Sequence, residues 1–330
     1  MSKRGCLGFS LPVAIGIILL LLFLFLVAFA AGALGPKLLG LFGLGWISES
    51  LSFLSVPQPK PELPAEVVLE VFHFPITNSI LGAWLTIIFL VGFSFAVTRR
   101  MKLVPGRLQA LFELLVGGLY NFCVSVAGEK NGRCFFPVVA TIFLFVAFNG
   151  WLSLLPGFGS IEVVNPEGHH VHLLRGANTD INLPLALALM SFFFVWYFGL
   201  RDLGIRYVSQ FINVGPLLRG FDRIFKGKIK EGFSGLFLGF INFFVGLLEL
   251  LSQFIRILSF TLRLFGNMTA GEILVLVVAF LIPFVVSPIF YGLELLVGFV
   301  QALIFGGLTL VFLTLATAGH AEETHREEAH

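Results

Sequence analysis

Four long runs of this 330-residue chain contain no charged side chain, and they constrain its fold more than any other feature. The runs are residues 11–34, 78–98, 135–155 and 181–200. A helix needs about 20 apolar residues to cross the hydrocarbon of a bilayer, whereas a spanning strand needs about ten residues of alternating polarity. Each run therefore predicts a transmembrane helix.

Composition supports a membrane protein and excludes several other classes. Charged residues make up 12% of the chain, whereas a soluble domain has about 25%. The sequence therefore excludes an ordinary soluble domain, a disordered protein and a nucleic-acid-binding protein. The three cysteines, Cys6, Cys123 and Cys134, show neither a disulfide framework nor the spacing of metal ligands.

Two further apolar stretches, residues 233–282 and 284–318, complete the predicted membrane domain. As a single helix the first would extend about 75 Å, against a hydrocarbon thickness of about 30 Å. It is therefore strongly tilted, broken, or partly outside the membrane. Pro283 and Pro288 bracket the connection, which favours an antiparallel hairpin. The predicted fold is an all-α polytopic membrane protein with about six embedded helices, the last two forming a long, strongly tilted hairpin.

The distribution of Lys and Arg predicts the orientation, because these residues favour cytoplasmic loops. With six spans and both termini inside, 16 of the 21 basic residues lie on the inner side, and only Lys37, Lys60 and Arg175 lie outside. If residues 108–126 also crossed the membrane, the strongly basic loop after Leu200 would move outside. We therefore expect residues 108–126 to form an amphipathic helix along the inner surface.

The N-terminal run has two interpretations. A basic start followed by Ala28-Phe29-Ala30 resembles a cleaved signal peptide, but the apolar core of about 17 residues is long for one and favours a retained anchor. The chain accordingly divides into three predicted regions. These are an extra transmembrane anchor with a Pro-rich outer linker at 1–70, a membrane domain at 71–318 and a disordered polar tail at 319–330.

Charged residues inside apolar sequence are the strongest functional candidates, because a charge at the bilayer centre costs about 2.5–3.5 kcal/mol. Glu249, Arg256 and Arg263 are spaced by seven and share one helical face, which Asn267 extends. Glu272 follows Arg263 by nine residues and lies about 180° away, so it does not neutralise Arg263 within a regular helix. Arg263 therefore needs a partner from another helix or another chain. Structural ion pairs between neighbouring helices are the alternative explanation for these charges.

Three segments carry a family resemblance. Residues 259–272, SFTLRLFGNMTAGE, closely resemble the signature of subunit a of F-type ATP synthases. Residues 301–305, QALIF, resemble its second signature, and residues 178–189 look like the start of the preceding span. The resemblance covers roughly residues 71–318. It implies an amphipathic surface helix plus five spans, with the tilted hairpin packed against a ring of small rotor subunits.

The resemblance also implies a function and the residues that carry it. The chain would be the proton-translocating stator subunit of a rotary ATP synthase, forming two offset half-channels against the ring of c subunits. Arg263 would separate the two paths and promote deprotonation of the ring carboxylate. The outer half-channel would include Asn267, Glu272, Glu294 and Gln301. The inner half-channel would include Glu249 and Ser252.

Partners and location follow from the same resemblance. They are the c ring, the peripheral-stalk b subunits and, indirectly, the soluble F1 ATPase head, in a bacterial plasma membrane with both termini cytoplasmic. The sequence shows no nucleotide-binding loop and no hydrolase motif, so we expect that ATP does not bind this chain. The resemblance implies a non-catalytic subunit without a cofactor. His169, His170 and His172 could bind a metal, but loop histidines at this spacing are usually solvated.

Several alternatives remain open at this level. A stand-alone transporter would also use buried charges, but no internal repeat is visible. A membrane enzyme would need a nucleophile or metal cluster at one depth, and a scaffold would need neither. Asp180 is either a helix N-cap or part of the proton entrance. Arg256 is either only a snorkelling residue of the inner side or a residue with a functional role.

Overall fold

A computed structural model gives the architecture of most of the chain. The residues described are 11–56, 58–59, 64–72, 74–99, 101–155, 158–159, 161–164, 168, 170–204, 207–208, 211 and 229–318. The predicted disordered tail at 319–330 and much of the basic loop after Leu200 lie outside the described residues.

Helices dominate the described part of the chain. They are α1 Leu11–Ala31, α2 Leu34–Leu41, α3 Gly45–Ser50, α4 Asn78–Thr98, α5 Arg107–Ser153, α6 Asn182–Leu203, α7 Ile229–Leu281 and α8 Ser287–Ala318. Single turns of 3₁₀ helix occur at Ser52–Leu54 and Ala177–Thr179. Two short antiparallel hairpins pair β1 Val67–Val71 with β2 Phe74–Thr77, and β3 Glu162–Val164 with β4 His170–His172.

Five of these helices are long and apolar enough to cross a membrane, namely α4 to α8. Helices α1 and α2 meet at an angle of 93° and add a sixth if the bent pair is counted as one span. The prediction of an all-α polytopic membrane protein is therefore confirmed, with five to six apolar helices of spanning length among the described residues against about six predicted.

Gly128 divides α5 into two arms. Its φ of 77° and ψ of 167° form a conformation that side-chain-bearing residues rarely adopt. The distances show that the chain reverses there. A Cβ on Gly132 would lie 2.8 Å from the carbonyl oxygen of Cys123, but nine residues of straight helix would separate the two residues by about 13 Å. The first arm is thus a separate helix, as expected for residues 108–126. Its position along the inner membrane surface stays a prediction.

Replacing Gly128 with Ala tests this reversal. The variant is expected to destabilise the protein by about 1–3 kcal/mol, because a Cβ strains this backbone conformation. The measurement is the midpoint of thermal unfolding in detergent. Gly92, in the middle of α4 with no neighbouring atom within 4 Å of an added Cβ, provides the control as Gly92→Ala. An equal midpoint for both variants would contradict the reversal.

The last two helices form the predicted antiparallel hairpin. Helix α7 is continuous over 53 residues, about 80 Å, so a break is excluded and tilt or extension beyond the membrane accounts for its length. Helix α8 returns alongside it, because Phe260 contacts Phe305 at 5.0 Å between ring centroids and Gly271 contacts Glu294. In each pair, the residue on α7 and the residue on α8 are the same number of residues from the turn. By the same count, Arg263 on α7 lies at about the level of Ala302 on α8.

The second arm of α5 lies at the centre of the membrane domain, between α4, α6 and α8. Phe143 and Val146 of this arm pack in one buried cluster with Leu264 of α7 and Phe305 of α8. A buried hydrogen bond of 2.8 Å joins the hydroxyls of Ser191 in α6 and Thr309 in α8. The packed core therefore holds one side of the hairpin and leaves its other side open.

The N-terminal helices dock onto the turn of the hairpin. The Ala33 N–H donates to the carbonyl oxygen of Phe280 at 3.1 Å. A Cβ on Gly32 would overlap the carbonyl of Leu281, so only a glycine fits this approach. The N-terminal region thus contacts the membrane domain, while the division into three regions stays a prediction.

Candidate functional site

Arg263 lies on an open face of α7. Its side chain is exposed, as are those of Asn267 and Ala270, and no atom lies within 4 Å of a Cβ added to Gly266. Among the described residues, nothing forms a hydrogen bond or an ion pair with Arg263. Because a guanidinium stays charged at any physiological pH, this apolar helix presents an uncompensated cation to whatever covers it.

Glu272 points away from this face, as its spacing predicted. It is partly buried, and its Oε2 atom lies 3.6 Å from a terminal nitrogen of Arg175. That distance is an ion pair without a direct hydrogen bond, and Oε2 is buried with no hydrogen-bond partner. A buried polar atom in this state is open to a hydrogen bond from a water molecule. Ion pairing between elements thus explains Glu272 but not Arg263.

A cavity of about 390 Å³ lies at the end of the hairpin near its turn, between α7, α8 and the loop before α6. Glu272 and Glu294 both line it, together with Arg175, Asn178 and Tyr291. Glu294 is only 7% exposed. The structure therefore brings together the two carboxyl groups that the family resemblance assigned to the outer half-channel.

The other two residues predicted for the outer path lie outside the described lining of this cavity. Gln301 is buried in α8, seven residues beyond Glu294 and next to Ala302. Asn267 is on the open face with Arg263. The four residues therefore run from the cavity to the level of Arg263 rather than forming one cluster.

A second group of charged residues lies near the start of the hairpin. Glu249 is exposed and Ser252 is half-buried. The Arg256 guanidinium lies 4.4 Å from the centre of the Phe312 ring, so this arginine packs on α8 instead of extending freely to the surface. The pKa of the Tyr207 hydroxyl is raised, mainly because the group is buried. The positive charge of Arg256 partly opposes this increase, and the negative charge of Glu249 adds to it.

The side chain of Asp180 joins α4 and α6. Its carboxylate accepts hydrogen bonds from the Ser79 hydroxyl at 2.7 Å and from the backbone N–H of Asn182 at 3.2 Å. Asn182 is the first residue of α6 and Ile181 is its N-cap, so Asp180 lies one residue before the N-cap and is not the N-cap itself. It does not belong to the described lining of the cavity.

Sequence reasoning gave no role to Arg175. Its guanidinium side chain is only 10% exposed and reaches Glu272 across 97 positions of sequence. The available signal was its location, because it is one of three basic residues on a predicted outer side that is otherwise poor in them.

Of the three loop histidines, His170 and His172 lie in the described part of the chain, and they show no metal-site geometry there. His170 lies 3.9 Å from a carboxylate oxygen of Glu162, and both side chains are exposed. No group of three or more His, Cys, Asp or Glu side chains within the described ranges is arranged to hold a metal ion. His169 lies outside these ranges.

Comparison with known proteins decides the family. Residues 80–314 match the family described as "ATP synthase A chain". The chain belongs to the ATP synthase A chain family. The "ATP synthase subunit a 1" of Pelobacter propionicus is 32% identical over 248 residues, covering 75% of this chain and 89% of that protein. The "ATP synthase subunit a" of Geotalea daltonii is 30% identical with the same coverage. The Gloeobacter violaceus protein of that name is 32% identical over 244 residues, covering 74% and 85%.

Membership in the ATP synthase A chain family settles the class of function. The chain is a multi-pass membrane protein and a non-catalytic, proton-translocating subunit in the membrane sector of an ATP synthase. It therefore works beside other membrane-sector subunits. The resemblance drawn from residues 259–272 and 301–305 is confirmed. The alternatives of a stand-alone transporter and a membrane enzyme are excluded.

Proposed function

We propose that this chain conducts protons through two offset half-channels that meet at the open face of α7, where a ring of c subunits docks. The observation that carries the proposal is Arg263, an exposed arginine on an apolar helix with no partner among the described residues. A cation in that position calls for a carboxylate from another chain, because burying an unpaired charge is costly.

The ring carboxylate changes protonation state as it passes Arg263. In lipid a carboxyl group is stable only when protonated, because burying its charge costs far more than burying the neutral acid. Next to Arg263 the ionised form is favoured, since an opposite charge within a few ångströms stabilises it. The carboxyl therefore releases its proton to the inner path, passes Arg263 and takes up a new proton from the outer path.

The outer half-channel begins at the cavity that holds Glu272 and Glu294. From Glu272 to Arg263 is nine residues, about 13 Å along the helix, which is too far for a single proton transfer. Gln301 and Asn267 lie between these levels and offer hydrogen-bonding groups along the way. Two carboxyls in one cavity suit an entrance, because like charges favour a shared proton.

The inner half-channel runs toward Glu249 and Ser252. Ser252 precedes Arg263 by 11 residues, about 16 Å, so the inner and outer groups are on opposite sides of the arginine. Arg263 repels protons and blocks a direct connection between the two paths. A membrane potential supplies about 2.3 kcal/mol per charge per 100 mV, and the offset paths convert proton flow into rotation of the ring.

Orientation and further partners complete the proposal. The excess of Lys and Arg in the loops assigned to the inside supports cytoplasmic termini. The other proposed partners are the b subunits of the peripheral stalk and, through them, the F1 head.

Cross-linking tests the docking face. With the native cysteines replaced, Ala270→Cys on the open face of α7 is labelled with a photoreactive maleimide in the whole complex. We expect a cross-link to a small rotor subunit, because Ala270 shares the exposed face of Arg263. The matched control is Val91→Cys on α4, whose side chain is 64% exposed. A rotor cross-link from Val91→Cys alone, or from neither variant, would refute the docking face.

A further inference from the structure

The side chain of Arg175 is held in a fixed position at the outer cavity. Its Nε atom donates to the hydroxyl of Thr179 at 3.2 Å, and one terminal nitrogen donates to the carbonyl oxygen of Pro64 at 3.0 Å. The other terminal nitrogen lies 3.6 Å from Oε2 of Glu272. Two anchors thus fix the guanidinium plane and leave one nitrogen directed at the carboxyl group.

The charges around the cavity define its electrically neutral state. Among the described lining residues, the titratable or charged groups are Arg175, Glu272, Glu294 and Tyr291. Tyrosine is neutral at physiological pH, so one permanent cation faces two carboxyl groups. The net charge is zero when the two carboxyls together hold one proton. A net charge in a largely apolar cavity is costly. The state with one proton on the two carboxyl groups is therefore favoured over the states with no proton and with two protons.

We propose that Arg175 is a positioning residue that makes Glu272 and Glu294 hold one proton between them at the outer entrance. The inference deepens the proposed function and rests on the cavity being the start of the outer path. With Arg175 present, one carboxylate stays ionised and accepts a proton from the outer water while the pair passes its other proton inward. Each cycle gains and loses one proton, and the pair returns to its starting state.

The loss of Arg175 changes this balance in a direction that can be measured. Without the cation, the neutral cavity needs a proton on both carboxyls, so the pair binds its protons up to a higher pH. Without Glu272, the cavity is neutral when Arg175 is charged and Glu294 is ionised. Glu294 should therefore release its proton at a lower pH. Opposite shifts from the two changes distinguish charge balance from a role of Arg175 in loop structure alone.

The experiment uses the whole synthase in proteoliposomes, with the F1 head outside and the luminal pH varied at constant membrane potential. Initial rates of ATP synthesis give the pH profile of the outer path. Arg175→Gln is expected to move the profile to higher luminal pH by about one unit or more, the size of shift that a nearby opposite charge causes. Glu272→Gln is expected to move it to lower pH. Arg175→Lys retains the charge and is expected to keep the profile within a few tenths of a unit.

Arg133→Gln is the matched control, because Arg133 is an exposed arginine at the other end of the α5 second arm. It removes the same charge and should leave the profile unmoved. The inference is overturned if Arg175→Gln and Arg175→Lys both lower the rate at every pH without moving the profile. If Arg175→Gln does not assemble, the absence of a downward shift in Glu272→Gln overturns it. Either result leaves the proposed function standing, since that depends on Arg263.

Discussion

Replacing Arg263 with Ala is expected to abolish ATP-driven proton pumping and proton-driven ATP synthesis in membrane vesicles. Without the cation, the ring carboxylate loses the interaction that favours its ionised form. An opposite charge at close range shifts a carboxyl pKa by 1–3 units, so deprotonation becomes about 10- to 1,000-fold less favourable. The barrier between the half-channels is lost with the same side chain. Passive proton flow through membranes stripped of F1 should therefore persist or increase while coupled transport disappears.

The control for this prediction is Arg201→Ala, at the exposed end of α6. It removes an arginine from the same chain and should leave pumping near the level of the unmodified protein. Quenching of a pH-sensitive dye on addition of ATP measures pumping, and immunoblots of the vesicles confirm that the complex assembles. If assembled Arg263→Ala complexes pump protons at the full rate, the proposed role of Arg263 is refuted.

Local periodicity accounts for what the sequence predicted well. The spacing of nine between Arg263 and Glu272 placed the two side chains on opposite sides of a helix, and the structure has Arg263 exposed and Glu272 turned toward the loop before α6. The hairpin followed from two apolar stretches around Pro283 and Pro288, and it is confirmed. Both inferences depend only on helix geometry, which is the same in any protein.

Contacts between distant segments account for what the sequence did not predict. Arg175 meets Glu272 through a loop whose path depends on hydrogen bonds to Thr179 and Pro64. The reversal at Gly128 rests on a single backbone conformation that one glycine among 36 does not reveal. Neither feature has a periodic signature. The proton-path roles of the predicted residues remain predictions, because they involve a ring carboxylate on another chain.

Replacing Gly271 with Ala is expected to lower proton pumping strongly while leaving the protein stable. Gly271 faces Glu294 across the hairpin, and a Cβ there would overlap the Glu294 carboxyl group. That carboxyl is the end of a flexible side chain, so it moves aside and the helices stay packed. Alanine also favours the helix over glycine by about 0.5–1 kcal/mol. The stability of the complex should therefore change little, although Glu294 leaves its place beside Glu272.

The displacement matters because proton transfer depends on position. A misplacement of about 1 Å in a reacting group can cost about 100-fold in rate, and we expect a loss of that order in the initial pumping rate. Shortening the displaced side chain restores room, so Gly271→Ala combined with Glu294→Asp should recover part of the activity. Gly92→Ala, the same change on an open part of α4, should have no effect. Normal pumping by Gly271→Ala would mean that protons reach the ring without Glu294 in its observed position.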